Sequence, residues 1–160
     1  MPFEGDMIRM FTRILYPTDF SDCSKKALEY VKKLKEAGTM EVIVLHVIDE
    51  REIETASTTI AWLGETVEEY EEQLINEMRS SAEEKLNAIN EELASAGIKA
   101  NIRLIRGMPF KEILRIAETE DISLIVIGSH GKSSVEEMLL GSVSDKVIRK
   151  SERPVLVVKR

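Results

Sequence analysis

The chain has 160 residues, 43% of them hydrophobic and 32% charged, with a formal net charge of −7 and a pI near 5.0. That length points to one domain over 1–160, the acidic balance argues against nucleic acid as a main partner, and no apolar run approaches the ~20 residues that cross a bilayer. The single cysteine, Cys23, excludes an internal disulfide, and the opening MPFEGDMIRMF lacks the charged head and apolar stretch of a secretory signal, so a reducing, cytoplasmic setting is expected.

TRILY, residues 12–16, reads as a short strand stopped by Pro17. Asp19, Ser21 or Asp22 then offers a cap to a helix carrying Ala27, Leu28, Val31 and Leu34 at helical spacing, with Gly38 as its stop. EVIVLHVID is nearly all apolar and rich in β-branched residues, as a strand covered on both faces must be. Residues 49–64 show no clean period and are expected to form a flexible loop holding at most a helical turn. From Glu65 to Ala96 a long helix is predicted, because Val67, Tyr70, Leu74, Met78, Ala82, Leu86, Ile89 and Leu93 step by three or four. KANIRLIRG is a third strand, and Pro109 opens a helix with Ile113, Leu114, Ile116 and Ala117 inward. ISLIVIG is the fourth strand, a helix follows over 142–150, and RPVLVVKR is the fifth strand.

Helices alternating with apolar strands imply crossover connections and cover on both faces. The expected fold is therefore α/β: a five-stranded, mostly parallel, doubly wound sheet of order 3-2-1-4-5, Rossmann-like. In such sheets ligands sit beyond the carboxyl ends of the strands where the order reverses, here between strands one and four. Those two ends carry PTDFS and GSHG. Gly128 and Gly131 can take positive φ and let backbone approach a ligand closely. Gly141 and Ser142 open the next helix, whose free amides and dipole favour an anion, and Ser142 and Ser144 add hydroxyl donors. The pattern suggests a phosphate cradle made of backbone. The alternative, glycines serving only turns and helix caps, stays open on spacing alone. A P-loop is excluded because GSHGKS has two residues too few between its glycines, and the G-x-G-x-x-G fingerprint is absent.

GSHGKSSVEEMLLGS fits G-x2-G-x9-G-[ST], and with ILYPTDFSDCSKKAL, VIVLHVID and RPVLVVKR it resembles the universal stress protein family over nearly the whole chain. Within that family the complete motif resembles that of members that bind ATP, in a fold like that of the adenine nucleotide alpha hydrolases. The resemblance implies that Pro17, Thr18 and Asp19 lie near adenine and ribose, and that Val47 meets adenine through its backbone. It places Ile127 and Gly128 beside the ribose and α-phosphate, and Gly131, Gly141, Ser142, Val143 and Ser144 around the phosphates. Mg²⁺ or Mn²⁺ would bridge phosphate oxygens, with Asp19 nearby. It also implies a homodimer through the apolar C-terminal edge strand, 154–159, whose bare edge invites pairing with its own copy.

Several residues have plainer alternatives. Asp19 is either a ligand contact or a helix cap. His130 reads as a polar loop residue without a catalytic role, His46 as a hydrogen-bonded strand residue, and Cys23 as a small packing group. Lys132 either approaches phosphate as a point charge or points into solvent. Trp62 either covers the crevice or joins a partner surface. The expected function is an ATP-binding regulatory switch with at most slow hydrolysis, read by a protein partner. The alternatives are a partner-stimulated ATPase and a dimeric interaction module with no use for nucleotide. Nucleotidyl transfer ranks low, because PTDFS stands where transferring relatives of this fold carry H-x-G-H or S-G-G-x-D-S.

Overall fold

The computed structural model describes residues 10–64, 66–132 and 139–160. The N-terminal stretch read for a signal, Glu65 and the interior of the glycine motif, 133–138, lie outside the described residues. In chain order the elements are β1 (Arg13–Pro17), α1 (Asp22–Lys33), β2 (Glu41–Asp49), α2 (Glu50–Trp62), α3 (Val67–Ser95), β3 (Lys99–Gly107), α4 (Pro109–Thr119), β4 (Leu124–Gly128), α5 (Ser142–Lys150) and β5 (Val155–Val158).

The five strands form one sheet of order β3-β2-β1-β4-β5 in which every pairing is parallel, as the sequence pattern predicts. Strand side chains alternate between faces, and the two cores follow that alternation. Ile14, Tyr16, Val42, Val44, Leu124 and Val126 pack with Ala27, Leu28 and Val31 of α1 and with Leu86 and Leu93 of α3. Leu15, Ile43, Leu45, Ile125 and Ile127 pack with Ile113, Ile116 and Ala117 of α4 and with Val147 of α5. Each central strand feeds both layers, which explains its continuous apolar sequence.

α3 has 29 residues, about 44 Å at 1.5 Å per residue. β2, with nine residues, spans only about 30 Å. The buried positions of α3, Ala82, Leu86 and Leu93, all lie in its second half. Its first half runs past the carboxyl edge of the sheet and pairs there with α2.

The loop expected over 49–64 is a helix over Glu50–Trp62. Asp49 caps it by accepting from the Arg51 amide at 3.0 Å. Its inward face is Ile53, Ala56, Ser57 and Ile60, a helical period weakened in the sequence by two small residues. The hydroxyls that made the segment look irregular turn back on the helix: Thr55, Ser57, Thr58 and Thr59 each donate to the carbonyl four residues earlier. Ser57 is buried, and its single hydroxyl proton is shared between the Ile53 carbonyl and the Glu71 carboxylate, fastening α2 to α3.

Candidate functional site

At the carboxyl edge, where the strand order reverses between β1 and β4, lies a cavity of ≈ 470 Å³. Its lining includes an apolar group, Leu45, Val47, Ile113 and Ile127, which belong to one core cluster, together with Pro17 and Pro109. The glycine loop and the start of α5 also line it. All the positions named from the sequence line this one cavity: Pro17, Thr18 and Asp19 where β1 ends, Val47 on β2, Ile127 and Gly128 on β4, Gly131 in the loop, and Gly141, Ser142, Val143 and Ser144 at the α5 start.

The segment after β1 is held rigidly. The Thr18 amide donates to the Leu45 carbonyl at 2.8 Å, and its hydroxyl lies 3.0 Å from that of Ser24 and accepts from the Phe20 amide at 3.0 Å. The Thr18 carbonyl meets His46 Nδ1 at 2.7 Å. A carbonyl only accepts, so the His46 proton sits on Nδ1. Burial holds the His46 pKa below its ordinary value against the opposing pull of that hydrogen bond. The helix cap is Ser21, whose side chain accepts from the Ser24 amide, so Asp19 is not the cap. Instead the Asp19 carboxylate accepts from the Ser21 amide through Oδ1 and from the Lys132 amide through Oδ2, both at 3.0 Å. It thereby ties the loop after β1 to the loop after β4.

The glycines are required for space. None of Gly128, Gly131 and Gly141 takes positive φ, so the freedom glycine gives the first two is not used for that. A Cβ on Gly128 would lie 3.0 Å from the Cys23 carbonyl carbon and 3.1 Å from the Ser24 amide nitrogen, so this glycine lets the first turn of α1 pack on β4. A Cβ on Gly131 would lie 2.6 Å from Asp19 Oδ2. A Cβ on Gly141 would lie 3.3 Å from the His130 Cα, and the Gly141 amide donates to the Ser129 carbonyl at 2.7 Å. The Ser144 hydroxyl is buried and donates to the same carbonyl at 2.8 Å, so it braces the loop and leaves only the residue's amide for the cavity. Gly141 is the N-cap of α5 and no side chain caps that helix. Its first-turn amides therefore have no side-chain cap, and Ser142, Val143 and Ser144 bring them to the cavity, with Asp145 in the same turn.

His130 is buried beside the cavity with Nδ1 2.7 Å from the Ser129 hydroxyl. Cys23 is buried behind it and donates to the Val158 carbonyl at 3.2 Å, a packing position. Sequence reasoning missed two further walls. α3 contributes Met78, Ser81, Ala82 and Lys85, and the α2 start contributes Asp49, Arg51 and Glu52. Asp49 and Arg51 form a rim ion pair at 2.6 Å. Burial works to raise the Asp49 pKa, but the Arg51 hydrogen bonds prevail and hold it below the ordinary carboxylate value. The signal for the α2 wall was present as Asp49-x-x-Glu52, a capping-box spacing. Nothing in the charged run around Lys85 distinguishes it. Trp62 is 87% exposed at the end of α2 and does not line the cavity.

A model of the universal stress protein family matches residues 10–159. The chain is 46% identical to universal stress protein MJ0577 of Methanocaldococcus jannaschii over 94% of its own length and 96% of that protein. It is 37% identical to universal stress protein YxiE of Bacillus subtilis, covering 94% of its own length and 100% of that protein. The solved structure of MJ0577 superposes with a TM-score of 0.84 at 47% identity, covering 94% of this chain and 97% of that one. A universal stress protein family protein of Arabidopsis thaliana, solved with AMP bound, shares the fold at a TM-score of 0.58 and 16% identity, with 93% and 92% of the chains covered.

Proposed function

The chain belongs to the universal stress protein family, and from that premise we propose that it is an ATP-binding regulatory protein with at most slow hydrolysis. The observation that carries this reading is the pairing of an apolar pocket with an uncapped helix start across one cavity. The apolar group suits a flat base, with the Val47 backbone available to read its edge. Asp19 lines the same cavity, and a ribose hydroxyl there would donate to it. The α5 amides and the loop at Gly131, kept open by the missing Cβ, suit a chain of phosphates. Bound ATP brings its own charge and, through its phosphate oxygens, an anchor for Mg²⁺ or Mn²⁺.

Hydrolysis is slow in this reading because the nearby titratable groups are committed elsewhere. Both Asp19 oxygens accept from backbone amides, and His46 directs its proton at a carbonyl. Regulation follows because the phosphate end joins the β1 loop, the β4 loop and α5, so ligand contacts there bias one arrangement of the loops. The reading includes a cytoplasmic homodimer paired through 154–159, with β5 on the sheet edge supporting it, and a protein partner that recognises the nucleotide-bound form. The test is to denature the purified protein, identify any released nucleotide, and titrate the stripped and refolded chain with ATP by calorimetry. An adenine nucleotide in the supernatant and saturable ATP binding are expected. Absence of both overturns the proposal.

A further inference from the structure

The negative charge of the chain is gathered in one place. Between Asp49 and Glu77 the sequence holds ten acidic residues and one basic residue, Arg51, a balance of −9 against −7 for the whole chain, so the rest carries a small positive balance. That stretch is α2 and the first half of α3, which pair with each other. Some of its acids are engaged: Asp49 with Arg51, Glu50 with Arg106 and Glu71 with Ser57. Glu54, Glu68, Glu69, Glu72 and Glu77 are exposed, and none of them forms an ion pair among the described residues. At the turn of the same hairpin Trp62 is 87% exposed and Leu63 70%. Trp62 ends α2, Leu63 is its C-cap, and Gly64, with φ of +76°, turns the chain toward α3, whose first turn carries Glu68 and Glu69. Only residues 63–66 separate the two helices, so the apolar pair and these carboxylates share one end of the hairpin. Neither Trp62 nor Leu63 belongs to the two core clusters of the sheet. A tryptophan and a leucine left in water beside exposed carboxylates are complementary to a segment that brings both apolar side chains and positive charge. The same charge repels anionic lipid, nucleic acid and the matching hairpin of a second copy.

We propose that Trp62 and Leu63, with the carboxylates of Glu68, Glu69 and Glu72 in the first two turns of α3, dock a basic amphipathic helical segment of a partner protein. Apolar side chains at i, i+3 and i+4 of that segment cover the indole and Leu63, and its flanking lysines or arginines meet the glutamates. The apolar contact slows dissociation, while the charge speeds the encounter and rejects acidic partners. The inference does not rest on the nucleotide reading, because none of these five residues lines the cavity. The opposite end of α2 does reach it through Asp49, Arg51 and Glu52, so the docked segment and the cavity share one helix.

The test uses the full chain and a fluorescein-labelled peptide of about 18 leucine and lysine residues, with leucines at i, i+3 and i+4 spacing. Binding is read from peptide anisotropy and from the emission of Trp62, the one tryptophan of the complex. A saturable complex, a blue shift of that emission and its protection from acrylamide are expected. Leu63→Ser and Trp62→Ala are each expected to weaken the complex about tenfold. The triple variant Glu68→Gln, Glu69→Gln, Glu72→Gln is expected to weaken it about tenfold as well, with a shallower salt dependence. A control triple, Glu36→Gln, Glu91→Gln, Glu118→Gln, removes as much charge from exposed sites outside the hairpin end and is expected to change affinity by less than about twofold. Circular dichroism of each variant establishes that it is folded. Absence of binding overturns the proposal. So do equal losses in the two triple variants, or full affinity in both Leu63→Ser and Trp62→Ala, since either shows attraction to net charge alone. Protection of Trp62 that grows with the concentration of the chain by itself assigns the surface to a second copy. A blue shift with phosphatidylcholine vesicles but none with the peptide assigns it to lipid. Both of these results also overturn the proposal.

Discussion

Two glycines of the motif give opposite predictions when each is changed to alanine. In Gly131→Ala the new Cβ would fall 2.6 Å from Asp19 Oδ2, the tip of a partly exposed side chain. The carboxylate must turn away, and it then loses the Lys132 amide that joins the two loops. A hydrogen bond to a charged group is worth about 1.5–3 kcal/mol when buried, and this half-exposed one about 1–2 kcal/mol. That corresponds to about a 5–30-fold loss of ATP affinity. Loop opening costs less than global unfolding, so the melting temperature falls by under ~3 °C. In Gly128→Ala the Cβ would meet backbone of Cys23 and Ser24 at 3.0–3.1 Å, and backbone in the first turn of a packed helix does not turn away. Overpacking of this kind costs about 1–3 kcal/mol. At about 2–4 °C per kcal/mol for a chain of this size, the melting temperature falls by roughly 2–12 °C. Calorimetric titration and thermal denaturation of both variants measure the contrast. Unchanged ATP affinity in Gly131→Ala, or an unchanged melting temperature in Gly128→Ala, refutes the assignment of one glycine to the ligand loop and the other to helix packing.

Tyr16 has its pKa pushed up to about 12, burial being the main cause. Its folded value lies above the unfolded value near 10, so the neutral phenol adds stability that is complete below pH ~10 and is lost as pH rises toward 12. Tyr16→Phe removes this dependence along with the hydrogen bond to the Ser24 carbonyl, costing ~1 kcal/mol at neutral pH and flattening the alkaline limb of a denaturant-stability curve. Ser57→Ala removes a buried donor to Glu71 and is expected to speed hydrogen exchange across α2 with little change in the central strands. The one tryptophan, Trp62, is 87% exposed, so acrylamide should quench its emission freely, and strong protection would show that another surface covers it.

The central strands were readable because each is apolar enough to be buried on both faces, and the order of all five followed from the crossovers. The glycine motif pointed to residues that line the cavity, but which space each glycine keeps open was not legible. Positive φ is the usual reason for a glycine, whereas Gly128 and Gly131 are fixed by what a Cβ would strike, and such contacts join residues over a hundred positions apart. α2 escaped notice because threonine and serine lower helix propensity, and the back-donation of their hydroxyls becomes visible only in three dimensions. Lys85 escaped for a different reason. Its neighbours on α3 are solvated charges, and only the overhang of that helix past the sheet edge brings it to the cavity.

The cavity walls come from stretches scattered between Pro17 and Ser144, and no two adjacent elements enclose it by themselves. A chain emerging from the ribosome therefore offers no half-built version of the pocket; recognition waits until nearly the last helix has docked. Whatever occupies the pocket adds its binding free energy to the finished fold alone. Resistance to proteases, and with it the lifetime of the molecule, then rises with the supply of that occupant.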